Sequence, residues 1–243
     1  MRASGQVSLH TPPMSRIFRP SVRWSVIAAR HPSALLLAVQ LVSLLLYPLM
    51  DGHDGRVIFS AFTLVAVPLA VWVVFRSHAA NGIAWALAVP AMLLAVAAIA
   101  LGLPALASAS AVLESLLYFY AAGALIVYML EDHKVTVDEL FAAAAAFTLL
   151  AWGFAYAFMV CQAVVPGSFI GVVEPERPRR WIELLFLSFS TLSGTGNGDI
   201  MPVAPYARVL VMLEQFAGVG YIAAVVSRLI ALSIVRQRGR GCD

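Results

Sequence analysis

From about residue 33 the chain alternates long apolar runs with short polar breaks. The runs lie at about 33–50, 57–75, 83–103, 115–130, 140–163 and 207–235, with Arg228 near the end of the last. A bilayer core about 30 Å thick is crossed by roughly 20 apolar residues in a helix, so each run is expected to be one crossing. Asp51–Arg56, Arg76–Gly82 and Gly102–Glu114 are the breaks after the first three runs and are expected as loops. Six crossings give an all-α membrane protein with both termini on one side.

Residues 164–206 break this rhythm. They open with a loop, Pro166 to Arg180, rich in Pro, Gly and charge. The apolar stretch Trp181–Leu192 follows; its 12 residues suit a re-entrant helix and fall short of a span. Then comes Gly194-Thr-Gly-Asn-Gly198, whose three glycines in five residues exclude a regular helix. Non-helical backbone at membrane depth is tolerated only where protein or a water-filled cavity satisfies its polar groups. A half-length helix feeding a glycine-rich extended segment between two full spans is the layout of an ion selectivity filter.

Composition makes the membrane assignment firm. Of 243 residues, 61% are hydrophobic and 12% charged, about half the charged share of a soluble domain. The net charge of +3 matters less than where the charges lie. Arg2, Arg16, Arg19, Arg23 and Arg30 precede the first run, and Arg236, Arg238 and Arg240 follow the last. Arg76 and Lys134 fall in breaks on that same side, whereas Arg56, Arg177, Arg179, Arg180 and Arg208 fall on the other. The positive-inside rule then places both termini in the cytoplasm. Residues 1–32 hold no apolar core followed by a cleavage site, so no cleaved leader is expected. Their arginines, with Trp24, Val26 and Ile27, suit either an interfacial segment on anionic lipid or a disordered tail.

The stretch Ser188-Phe-Ser-Thr-Leu-Ser-Gly-Thr-Gly-Asn-Gly-Asp-Ile-Met-Pro202 resembles the pore signature of bacterial potassium channels, S-F-x-T-L-T-T-V-G-Y-G-D-I-x-P, without a gap. Val135–Phe141 is similar to the start of that family's outer pore helix, Pro166–Phe169 to its turret, and Tyr206–Arg208 with Leu213, Glu214 and Gly218 to its inner helix. The likeness covers residues 135–235. It implies a homotetramer in a bacterial inner membrane, each chain giving one filter segment, Gly194, Thr195, Gly196, Asn197 and Gly198. Backbone carbonyls there would replace the water shell of a permeating cation, with potassium implied and sodium as the rival. The resemblance implies no cofactor beyond the permeant ion, no catalytic residues, and partners limited to three further copies and lipid, with no nucleic acid.

Three filter positions depart from the family. Gly194 stands where a threonine would supply a hydroxyl, Thr195 fills a valine slot, and Asn197 replaces the tyrosine that braces the ring. A non-selective cation pore and a non-conducting subunit that keeps the pore fold are therefore the alternatives. Asp199 is assigned to the outer mouth. Glu183, Glu214, Gly218 and Gly220 are candidates for filter support or gating. Each has a structural reading: Glu183 as a helix-cap charge, Glu214 as a partner of Arg208 or a hydrogen-bonding group behind the filter, and the glycines as close-packing sites.

Other functions lack their residues. A nucleotide fingerprint would need a βαβ unit around the glycines. A voltage sensor needs several arginines at three-residue spacing, and residues 112–130 hold Glu114 and no Arg or Lys. Tyr118, Phe119, Tyr120 and Tyr128 are expected to pack or to anchor at interfaces. The five histidines show no ligand spacing, and Ser188 and Ser190 have no histidine base nearby. The organisation expected is thus a basic segment 1–32, a four-helix region 33–130 without sensor arginines, a pore domain 135–235 and a short basic tail 236–243.

Overall fold

The computed structural model describes residues 32–47, 78–131 and 137–240. The run at 57–75 and nearly all of the basic amino-terminal segment lie outside the described residues. The regular elements of the described residues are helices apart from two three-residue strands. In order the elements are α1 (Pro32–Leu46), α2 (His78–Leu101), α3 (Pro104–Glu131), α4 (Val137–Val164), β1 (Phe169–Gly171), α5 (Trp181–Leu192), β2 (Ile200–Pro202) and α6 (Pro205–Arg240). Among the described residues, four helices are long and apolar enough to cross a membrane: Gly82–Leu101, Pro104–Leu130, Val137–Val164 and Pro205–Arg228.

Three boundaries depart from the sequence expectation: α2 already begins at His78, inside the expected break Arg76–Gly82, and the widest departure follows it. Gly102–Glu114 is expected as a loop, yet only Gly102 and Leu103 interrupt the helices and α3 begins at Pro104. Gly102 takes φ +63°, the left-handed conformation that ends a helix. The serines of this stretch are satisfied by helix carbonyls. Ser108 Oγ donates to the Pro104 carbonyl at 3.2 Å, and Ser110 Oγ to the Ala91 carbonyl of α2 at 3.0 Å. Side-chain bonding to helix carbonyls lets a serine-rich turn stay helical in an apolar medium. At the other end of the chain, α6 stays helical through Arg240, past the expected boundary at 235.

The core forms around α4, whose alanines Ala142, Ala145, Ala146, Ala151 and Ala155 are wholly buried. Small side chains let neighbouring backbones approach closely, the main source of helix packing in lipid. α3 lies antiparallel to α4: Ser115 Oγ donates to the Gly153 carbonyl at 2.9 Å, and Arg228 of α6 spans the far end by bonding both Leu130 and Glu139. α1 runs parallel to α4. Ser33, at its start, donates its N–H and hydroxyl to the Asp138 carboxylate (3.2 and 2.9 Å), while Tyr47, just past its end, packs on Trp181 with ring centroids 6.1 Å apart. Four rings close a circuit among three helices: Tyr118 of α3, Trp152 and Tyr156 of α4, and Trp181 of α5, with centroids 5.4–5.8 Å apart. Edge and offset contacts at such spacings each add about 0.5–1.5 kcal/mol beyond burial. Tyr118 and Phe119, which packs edge-on to Phe154, are therefore packing residues, as expected.

Residues 165–204 leave and re-enter at the same end of the bundle. α5 runs down beside α4, Trp181 at the level of Trp152 and Phe189 at the level of Phe147. At 12 residues it is about 18 Å long, against roughly 42 Å for the 28 residues of α4. The chain then climbs back to β2, which pairs antiparallel with β1: Phe169 opposite Pro202, Ile170 opposite Met201, Gly171 opposite Ile200.

Candidate functional site

The start of α5 is set by charge. Glu183 accepts from the Arg180 N–H at 2.7 Å and from the Arg177 guanidinium, so it occupies the N3 half of a capping box. Burial alone would raise its pKa. The Arg177 hydrogen bond, the Arg180 N–H and the charges of Arg177 and Arg179 outweigh burial and hold the carboxyl below its ordinary range. Glu183 thus sits where the cap reading placed it, at the helix end away from the glycines.

Above it the loop is organised by a residue that the sequence did not single out. Arg179 is 4% exposed, and its guanidinium donates to the carbonyls of Val173, Glu174 and Arg177. Its own backbone is held on both sides by Gln162 of α4, at 3.0 and 2.8 Å. One planar cation thereby replaces the solvent that three loop carbonyls would otherwise need. No sequence pattern marks which of three neighbouring arginines turns inward.

At its lower end α5 delivers the glycine segment. Ser190's carbonyl accepts the N–H groups of Thr195 and Gly196 at 3.1 and 3.2 Å. The Thr195 and Ser193 hydroxyls also reach that oxygen, at 3.2 and 3.3 Å, and lie 3.1 Å from each other. No peptide is cis, and in a trans peptide the carbonyl opposes the N–H. The carbonyls of Gly194 and Thr195 therefore both point away from α5, on one side. Successive carbonyls on one side require alternating backbone hands. Gly194 (φ +72°) and Gly196 (φ +65°) supply them; Gly198 is not in that region. Residues 193–199 are exposed in the single chain, Asn197 and Asp199 included. Asp199 lies at the foot of β2, where its carbonyl accepts the Val172 N–H at 3.0 Å.

Behind the segment, α6 packs on α5. Gly218 meets the last turn of α5 so closely that a Cβ there would overlap the Leu192 carbonyl oxygen and lie 2.8 Å from its carbon. Close packing is thus its structural role. Gly220 has nothing within 4 Å of a Cβ position. Glu214 is fully buried and hydrogen-bonded to Ser188 Oγ of α5, which also lies 2.8 Å from the Ala151 carbonyl of α4. The expected alternative pairing with Arg208 does not form, because Arg208 donates to the Pro202 carbonyl at 3.3 Å. Two functional-looking polar groups escaped the sequence reading. Glu114 is hydrogen-bonded to Ser110 at 2.9 Å, and Arg228 pairs with Glu139 at 3.2 Å on the side of the bundle away from the glycines.

Comparison with known proteins points the same way. The ion channel family model matches residues 115–233. Residues 115–233 thus resemble an ion channel module. The matched segment starts twenty residues before the expected boundary at 135, so it takes in most of α3 as well as α4, α5 and α6. Over 78 residues the chain is 31% identical to the inward rectifier potassium channel Kirbac3.1 of Paramagnetospirillum magnetotacticum. That alignment covers 32% of this chain and 24% of the relative, so the chain spans about a quarter of its length. No solved structure matches the chain.

Proposed function

We propose that four copies of this chain assemble around residues 194–198 and conduct monovalent cations, potassium foremost, across a bacterial inner membrane. The observation that carries this is the common direction of the Gly194 and Thr195 carbonyls, fixed by two N–H groups on the Ser190 carbonyl. Such a row, repeated around a symmetry axis, replaces the hydration shell of a cation. The half-length α5 between two long helices supports a re-entrant pore helix. Support also comes from α6, whose span window is 11% buried, against 61% for α4. That leaves apolar faces for neighbouring copies and a central path. Asp199, exposed beside the segment, would draw cations to the outer mouth.

Six crossings are the reading of the sequence, with four candidate spans among the described residues and the run at 57–75 outside them. The positive-inside rule then assigns the Arg228 end of the bundle, and both termini, to the cytoplasm.

A second reading, a pore that does not discriminate potassium from sodium, is favoured by a specific contact. Thr195 Oγ1 is turned back onto Ser190, so it does not replace the hydroxyl missing at Gly194. A bi-ionic reversal potential across planar bilayers separates the two. A potential displaced toward potassium supports selectivity, a value near zero the non-selective pore, and a monomeric mass in mild detergent would contradict both.

A further inference from the structure

Glu214 is a carboxyl at zero exposure, near the middle of the Pro205–Arg228 span of α6. Its Oε1 bonds Ser188 Oγ, and its Oε2 has no partner. Among the described residues no cation is in reach: α4 carries no charge from 140 to 164 and α5 none from 184 to 192. α6 carries none between Arg208 and Arg228 except Glu214 itself, and both arginines are committed elsewhere, to Pro202 and to Glu139 with Leu130. Three further titratable groups on these helices are engaged elsewhere. Tyr221 donates to the Ala143 carbonyl, Tyr156 stacks in the aromatic circuit with Tyr118 and bonds Glu114, and Glu183 sits at the α5 cap.

The hydroxyl of Ser188 owns one proton and faces two acceptors, the Ala151 carbonyl at 2.8 Å and Glu214 Oε1. If Glu214 were ionised, a buried charge would be left with at most one hydrogen bond and no counter-ion, the costliest arrangement available in an apolar interior. If it carries a proton, every donor has a place. The carboxyl O–H donates to Ser188 Oγ, Ser188 donates to Ala151, and Oε2 is left as a neutral carbonyl oxygen.

We propose that Glu214 is held as the neutral acid and acts as a positioning residue, donating a hydrogen bond to Ser188 that ties α6 to α5 and α4 behind the glycine segment. The tie spans the three helices that fix where residues 194–198 begin, with Gly218 against Leu192 about one turn further along α6. It rests on the fold of one chain and not on which ion passes.

The test uses the full chain in detergent and in liposomes, with Glu214→Gln and Glu214→Ala. Glutamine is neutral, keeps the shape and can donate to Ser188. The infrared spectrum of the wild type should show a protonated-carboxyl carbonyl stretch that Glu214→Gln removes. The Gln variant should retain wild-type heat stability and a cation flux within about threefold, whereas Glu214→Ala should lose about tenfold or more in flux, as expected when a buried hydrogen bond and its side chain are removed. Absence of the wild-type band overturns the proposal. So does a Gln variant as impaired as the Ala variant, because that outcome requires the charge. A folded protein with the band intact and no flux would instead count against conduction and leave this assignment standing.

Discussion

Gly218 of α6 faces the carbonyl group of Leu192, with no room for a side chain between the inner helix and the end of α5. Two residues on, Gly220 looks into open space within the chain. The pair separates packing from intrinsic helix propensity. Gly218→Ala should destabilise the protein by about 1–3 kcal/mol through overpacking. Gly220→Ala should be neutral or stabilising, by up to about 1 kcal/mol. Thermal unfolding of both variants in detergent checks the contrast, and equal behaviour would contradict the packing described.

The departure at Gly194 now has a conformational reason. At φ +72° an L-residue is strained, by about 1–2 kcal/mol in each chain. Gly194→Thr, which introduces the threonine of the potassium-channel signature this stretch resembles, should therefore lower stability and flux. Gly196→Ala, at φ +65°, should suffer similarly, and Gly198→Ala should escape this particular strain. Liposome flux with matched protein incorporation reads the order.

Arg228 and Glu139 form an ion pair whose side chains are 15% and 6% exposed. Removing either partner leaves the other charge buried, at a cost of about 3 kcal/mol or more. Arg228→Met and Glu139→Gln should each lower the unfolding temperature, and the double variant should lose less than the sum. Strict additivity in that cycle would show that the two side chains do not interact.

The α5 cap predicts an acid dependence. Glu183 titrates below its ordinary value when folded, so its contribution is present above the unfolded carboxylate pKa and is lost as pH falls through the folded one. Glu183→Gln should thus narrow the stability difference between neutral and acid pH relative to the wild type. An unchanged acid profile would contradict the cap.

Much of this fold was legible because lipid demands continuous helices. The runs at 140–163 and 181–192 recover α4 and α5 nearly residue for residue. The miss at α3 has a physical cause: Ser108 and Ser110, within the expected break, are satisfied by the carbonyls of Pro104 and Ala91, so the helix runs through them. The glycines of the candidate site were readable as a need for unusual backbone. Which glycines take positive φ was not, because that depends on the Ser190 carbonyl collecting two N–H groups. Glu214 stood out as an intramembrane acid. Its partner could not be chosen between Arg208 and α5 without knowing that Arg208 turns toward Pro202. Arg179 and Arg228 gave no signal, since a buried arginine looks the same in sequence as a solvated one.

The most direct measurement is potassium flux through purified protein in liposomes, compared with protein-free liposomes and with a Gly196→Ala variant shown to assemble. The account predicts flux well above the empty liposomes and its loss in the variant. Folded, correctly assembled wild-type protein that passes no cation would contradict it.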